Sequence, residues 1–168
     1  EMNAMRGGSA YAVQADLGDG DAIARLAAGV RSHAQRLDLL VNNASRFFPT
    51  TVGDTGRAQW DELMESNLAG PYFLVQALLP ELVAANGSVV NILDVHASRP
   101  MKGHAVYSMA KAANAMMIMS LARELGPDVR VNGVAPGAIL WPEHEISDID
   151  KARILSRVPL ARHGEIED

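Results

Sequence analysis

The spacing of apolar and polar positions switches repeatedly between a period of about two and one near 3.6. "AYAVQADL" (10–17) reads as a short strand of small and β-branched residues ending in Asp-Leu. Asp19 or Asp21 can cap the helix that follows, where Ile23, Leu26, Ala27 and Val30 recur at helical spacing. "LDLLVNNA" (37–44) is a continuous apolar run that turns polar at its end, as expected of a strand buried on both faces of a parallel sheet. From about Gln59 to Ala85 the period is helical, with Trp60, Leu63, Met64, Leu68, Phe73 and Leu74 as inward candidates and a kink expected at Pro71. "GSVVNIL" (87–93) reads as a strand, about 104–125 as a helix ending at Gly126-Pro127, and "VRVNGVA" (129–135) as a strand. The tail reads as a loop and a short helix.

Strand–helix–strand alternation at these lengths implies right-handed crossovers and a doubly wound parallel α/β sheet of the Rossmann type. With no repeat or linker, residues 1–168 are expected to form one domain. In such sheets, ligands bind outside the carboxyl ends of the strands. Asp16, Asn42, Asn43, Ser45, Asp94 and the Pro136-Gly137 turn all fall at those ends.

Composition narrows the picture. Apolar residues make up 48% of the chain and the mean hydropathy is +0.01, values that suit a packed core and exclude a disordered chain. The net charge of −5 without a dense basic run argues against nucleic acid or an anionic membrane as partner. Cysteine is absent, which excludes disulfides and thiolate metal sites and fits a cytoplasmic protein. The longest apolar stretch, "PYFLVQALLPELVAA", is broken by Gln76, Pro80 and Glu81 and is too short to span a bilayer. The acidic run "PEHEISDID" (142–150) has no ordered metal-ligand spacing and reads as a loop over the crevice, so no metal is expected. His96 and His104 read as surface or capping residues. Met109, Met116, Met117 and Met119 read as core or subunit-interface packing.

Tyr107 and Lys111 stand four apart on the third helical stretch, one turn from each other on one face. A free tyrosine, with a pKa near ~10, is a poor proton exchanger at neutral pH. A neighbouring ammonium is expected to lower that value and make the pair a proton-transfer unit. Asp94 closes the preceding strand, and "VNNAS" and "VAPGA" close two others, so all would meet at one rim of the sheet.

On these residues the sequence resembles the short-chain dehydrogenase/reductase family over nearly its whole length. The resemblance implies that Tyr107 and Lys111 are the catalytic pair, with Asn67 in "ESNLAGPYF" supporting a water relay to the lysine. It implies that Asp16 and Leu17 hold the adenine of a nicotinamide cofactor, that Asn43 and Ala44 lie beside its ribose, and that Pro136 and Gly137 line the nicotinamide. Most of that family carries serine where Asp94 stands. Aspartate there, with "NNAS" followed by an aromatic and "YSMAK", looks like the pteridine reductase branch, as does "GAILWPE" (137–143). In that branch Ser45 would contact cofactor and pterin, and Phe47 would stack on the pterin ring. The expected activity is NADPH-dependent reduction of a dihydropterin or dihydrofolate C=N bond by a homodimer or homotetramer, with Tyr107, Asp94 and Lys111 as the proton-transfer site and the Asp94 carboxyl, hydrogen-bonded to Tyr107, holding or relaying the proton. The alternatives are reduction of a carbonyl, such as a 3-oxoacyl thioester or a ketone, and a non-catalytic fragment acting only in assembly.

The family's glycine-rich phosphate loop has no counterpart here, since no Gly-x-x-x-Gly-x-Gly occurs, and "RGGSA" (6–10) precedes a strand-like stretch instead of following one. The usual last strand is also missing. The chain is therefore expected to be incomplete at both ends, part of a longer enzyme, and not competent alone.

Overall fold

The structure, a computed structural model, describes residues 7–139 and 147–165. Helix α1 (Gly20–His33) starts where the Asp19 side chain accepts from the Asp21 N–H, as its sequence implies. It leads to strand β1 (Leu39–Asn42), then helix α2 (Arg57–Met64), a π-helical turn (Glu65–Ala69), and helices α3 (Gly70–Ala77) and α4 (Leu79–Ala85). Strand β2 (Ser88–Ile92), a 3₁₀ turn (Val95–Ala97), helix α5 (Ala105–Leu125), strand β3 (Arg130–Val134) and helix α6 (Asp148–Leu155) follow. The three strands pair in parallel in the order β1-β2-β3, with Leu40 beside Val89, Asn42 beside Asn91, and Val89 beside Val131. This is the Rossmann-like α/β arrangement, with crossover helices joining parallel strands.

Leu40, Val89 and Val131 lie on one face of the sheet, where Val75 of α3, Leu82 of α4, and Met117, Ile118 and Leu121 of α5 pack with Val89 and Val131 into the main core. A second cluster joins Ile23 and Ala27 of α1 to Leu74 and Leu78, reinforced where Arg31 forms an ion pair with the buried Glu81 at 2.6 Å. A third joins Leu63 of α2 to Val106 and Tyr107 in the first turn of α5.

Three expectations need correction. Residues 10–17 form no strand among the described residues. A strand needs a ladder partner, and this segment lies instead along α1, with the Tyr11 ring stacked on His33 at 3.9 Å. Strand β1 is not buried on both faces: Leu39 and Val41 are 51% and 48% exposed. Trp60 and Phe73 do not point inward but are 36% and 49% exposed, whereas Leu63 and Leu74 are buried.

The expected kink at Pro71 also moves. The backbone turns by 61° between Arg57–Ala77 and Leu79–Ala85, at Leu78, and Pro71 sits in the first turn of α3, where a missing N–H is tolerated. Pro71 cannot donate to the carbonyl of Asn67 four residues back. That carbonyl is taken by the Asn114 amide of α5 at 2.7 Å. A missing donor in one helix thus becomes an anchor for another.

Gly70 explains how the Asp16-Leu17 turn meets the helices. A Cβ at Gly70 would lie 2.7 Å from the Leu17 Cβ and 2.8 Å from the Leu17 carbonyl oxygen, so the backbones can touch only without a side chain. Gly70→Ala is expected to cost about 1–3 kcal/mol in urea unfolding, by overpacking. Gly20→Ala, with nothing within 4 Å, should be neutral or slightly stabilising and serves as the control. Equal effects of the two would remove the close-approach argument.

Among the described residues no single helix is long and apolar enough to cross a membrane.

Candidate active site

Beyond Ile92 the chain brings Asp94 to the rim of the sheet, where its Oδ1 accepts from the His96 N–H at 2.8 Å and caps the 3₁₀ turn. Its other oxygen, Oδ2, accepts from the Tyr107 hydroxyl at 2.7 Å. Asp94 therefore both caps a local turn and engages the tyrosine. Tyr107 and Lys111, on one face of α5, are 5% and 3% exposed. The Lys111 ammonium donates to the Ile92 carbonyl at 3.0 Å and stands 5.7 Å from the centre of the Tyr107 ring.

The electrostatics reverse one expectation. The tyrosine pKa shifts upward on balance, with the Lys111 ammonium 5.7 Å from its ring. Burial first, then the hydrogen bond to Asp94 and its charge, push Tyr107 above the ordinary tyrosine range. The carboxylate touches the hydroxyl directly, whereas the ammonium is aimed at a backbone carbonyl. Burial lowers the Lys111 pKa, with the charge of Asp94 opposing in part.

The other predicted residues gather around this centre in two groups. The Pro136 carbonyl accepts from the Val95 N–H at 3.2 Å, which sets the Pro136-Gly137 turn beside Asp94. Farther along the rim, Asp16, Leu17, Ala44 and Ser45 line a cavity of about 300 Å³ together with Arg46 and Ser66. A neighbouring cavity of about 230 Å³ adds Asn43 and the buried Asn42, whose Oδ1 has no partner. Clustered polar groups at strand ends and an orphaned acceptor suit the adenosine half of a dinucleotide, and Lys111 with Tyr107 suits the ribose beside its reactive ring. Neither cavity is lined by Asp94 or Tyr107, so the two groups are distinct parts of the rim. Phe47, 54% exposed, lies edge-on to Tyr107 with ring centres 4.9 Å apart and planes at 80°.

No direct hydrogen bond joins Asn67 to Lys111. Its Nδ2 donates to the carbonyls of Arg46 and Leu63 at 2.9 and 3.0 Å, fastening the π-helical turn to the loop after β1. Little in the sequence signals what surrounds it. Asn42 donates to Asn91, and Asn91 to Asn114, each at 2.8 Å, before Asn114 reaches the Asn67 carbonyl. This buried amide chain links β1, β2, α5 and the π-helical turn. Asn91 and Asn114 could have been noticed only as lone polar residues among apolar neighbours, in "SVVNIL" and "KAANAMM".

Among the methionines, Met117 is core, and Met109, Met116 and Met119 are exposed on the outer side of α5. No group of three His, Asp or Glu side chains among the described residues could hold a metal. Glu143, His144 and Glu145, like most of "GAILWPE", lie outside the described residues.

Comparison with known proteins places this geometry. Residues 1–148 match the family model for short chain dehydrogenase. A 3-oxoacyl-(acyl-carrier-protein) reductase from Staphylococcus aureus is 31% identical over 166 residues, covering 97% of this chain and 68% of that protein. Protein FixR of Bradyrhizobium diazoefficiens is 37% identical over 90% of this chain and 57% of its own length. The crystal structure of a short-chain dehydrogenase from Streptomyces avermitilis superposes with a TM-score of 0.77 at 35% identity, covering 83% of this chain and 53% of the other. The chain thus spans roughly half to two thirds of the proteins it resembles.

Proposed function

Since this chain belongs to the short-chain dehydrogenase/reductase family, we propose that it carries the proton-transfer half of a nicotinamide-dependent reductase acting on a dihydropterin or dihydrofolate. The observation behind the substrate class is the 2.7 Å hydrogen bond from Tyr107 to Asp94. NADPH is the proposed cofactor, held by Asp16, Leu17, Asn43, Ala44 and Ser45 at its adenosine end and by Tyr107, Lys111, Pro136 and Gly137 at its reactive end. When bound, it supplies a hydride.

Adding hydride to the carbon of a C=N bond leaves an electron pair on nitrogen that must take a proton. Tyr107 gives its hydroxyl proton to that nitrogen, and a proton taken up from solvent by the Asp94 carboxylate then passes to the phenolate and restores the hydroxyl. Lys111 offsets the negative charge that collects on the pair. Phe47, beside the hydroxyl, offers an aromatic surface to a planar bicyclic ring, and Ser45 a polar contact. The exposed methionines of α5, with Tyr72 and Phe73 of α3, support pairing of copies into an oligomer.

A second reading rests on the comparisons. The Staphylococcus aureus relative is named for reduction of 3-oxoacyl thioesters. For a carbonyl substrate, Tyr107 would protonate the new alkoxide and Asp94 would only orient the hydroxyl. The full-length protein assayed with NADPH decides between them, with a dihydropterin and a 3-oxoacyl thioester side by side. Faster turnover of the pterin, with Phe47→Ala raising its KM about 3- to 10-fold as expected for a lost stacking contact of ~1 kcal/mol, supports the first reading. Turnover of the thioester alone, indifferent to Phe47→Ala, supports the second. Silence on both would leave a protein that acts only in assembly.

A further inference from the structure

The loop between β1 and α2, which carries Phe47, is tied to the first turn of α5, which carries Tyr107. Thr50 makes the tie. It is 2% exposed, its N–H donates to the Gly103 carbonyl at 2.6 Å, and its Oγ1 accepts from the Val106 N–H at 3.2 Å. The first N–H groups of a helix lack partners within the helix and are usually satisfied by the residue at its start. Here that residue, His104, makes no side-chain cap, and Thr50 supplies one from 56 positions away. The His104 ring is used differently: it stacks on Phe47, ring centres 4.6 Å apart and planes within 10°. Thr50 and His104 also form an isolated parallel bridge.

These contacts close a circuit. Phe47 touches His104 on one side and Tyr107 on another, His104 and Tyr107 are three residues apart at one helix start, and Thr50 locks the loop to that start. We infer that Thr50 and His104 are positioning residues that fix the Phe47 ring to the first turn of α5, so that the surface receiving the substrate and the hydroxyl that protonates it move as one body. Residues 43–49 have no regular secondary structure to hold Phe47. The β-branched threonine is stiff at χ1, so its hydroxyl is held ready for the Val106 N–H. Reaction rates are sensitive to such placement, since an error of about 1 Å can cost on the order of a hundredfold. The role of Thr50 and His104 in turnover rests on the reductase reading above; the tie itself does not.

The test uses the full-length protein and three variants. Thr50→Val keeps the shape but removes the acceptor, Thr50→Ser keeps the acceptor, and His104→Ala removes the ring behind Phe47. The first readout is nuclear magnetic resonance of the His104 ring protons, which Phe47 shifts upfield by its ring current. Thr50→Val is expected to return them towards ordinary positions, and Thr50→Ser to restore the shift. The second is steady-state kinetics with whichever substrate the wild type turns over. Thr50→Val is expected to lower kcat about tenfold with the KM for NADPH unchanged, a partial misplacement, and Thr50→Ser to recover it. His104→Ala is expected to raise the KM for a dihydropterin. A His104 signal that keeps its wild-type upfield position in Thr50→Val would overturn the inference whatever the substrate. So would a normal kcat in a Thr50→Val protein that has merely lost thermal stability. If neither substrate is turned over, the proposed function fails, and the His104 signal alone still decides whether Thr50 holds the stack.

Discussion

Tyr107→Phe in the full-length protein is expected to lower kcat about 10²–10⁴-fold while leaving cofactor binding within a few-fold, because it removes one proton and no apolar surface. The same hydroxyl governs an alkaline titration. Burial and Asp94 raise its pKa, so the fold keeps the Tyr107 proton at pH values where an unfolded tyrosine, near ~10, has lost it. The stability contributed by Tyr107 is therefore complete below about pH 10 and declines as pH rises beyond it. Lys111 has the opposite sign. Its pKa is lowered, so the fold disfavours its charged form, and that penalty fades as pH rises towards ~10.4. Asp94→Asn removes the negative partner and should bring tyrosinate absorbance in at lower pH than in the wild type. Urea unfolding at pH 8 to 11 should show the alkaline decline flattened in Tyr107→Phe. An unchanged tyrosinate titration in Asp94→Asn would show that the carboxylate does not control the hydroxyl.

Asn91→Leu is expected to be strongly destabilising. Leucine matches the size of asparagine closely enough to avoid a large cavity, but it leaves the Asn42 Nδ2 and the Asn114 Oδ1 buried without partners. At about 1–3 kcal/mol for each unsatisfied group, the loss should total about 2–5 kcal/mol in urea unfolding. Asn114→Leu should cost a similar amount, since it frees Asn91 and the Asn67 carbonyl. The two substitutions break one chain, so the double variant should lose well under the sum. Additive losses would show that the amides act independently.

The Asn91 amide also marks where sequence reading stops. Its position in a strand was evident from the apolar residues around it, but its value depends on Asn42 and Asn114, 49 and 23 positions away. Thr50 was equally silent, because a threonine in a loop gives no local sign that it caps a helix 56 positions later. Phe47 and Asp94 were easier to find, since each stands in a short motif read as a unit. The pairing of Asp94 with the Tyr107 hydroxyl was expected from the sequence, whereas the stacking of Phe47 on His104 came from the fold.

By itself the sequence determined the order of the three paired strands and the helices between them, narrowed the cap of α1 to Asp19 or Asp21, and placed Tyr107 and Lys111 on one face of α5 with Asp94 at the end of β2. These follow from periods of two and 3.6 and from backbone groups that neighbours satisfy, all local physics. Only the tertiary structure decided that 10–17 lies along α1 without joining the sheet, and that the bend comes at Leu78. It also decided that the Asn67 carbonyl freed by Pro71 is taken by Asn114, and that Tyr107 is pushed up in pKa instead of down. Each of those depends on what stands across a gap between elements: a ladder partner, an amide donor, a carboxylate nearer than an ammonium. A one-dimensional pattern says which residues share a face, and only packing says what that face meets.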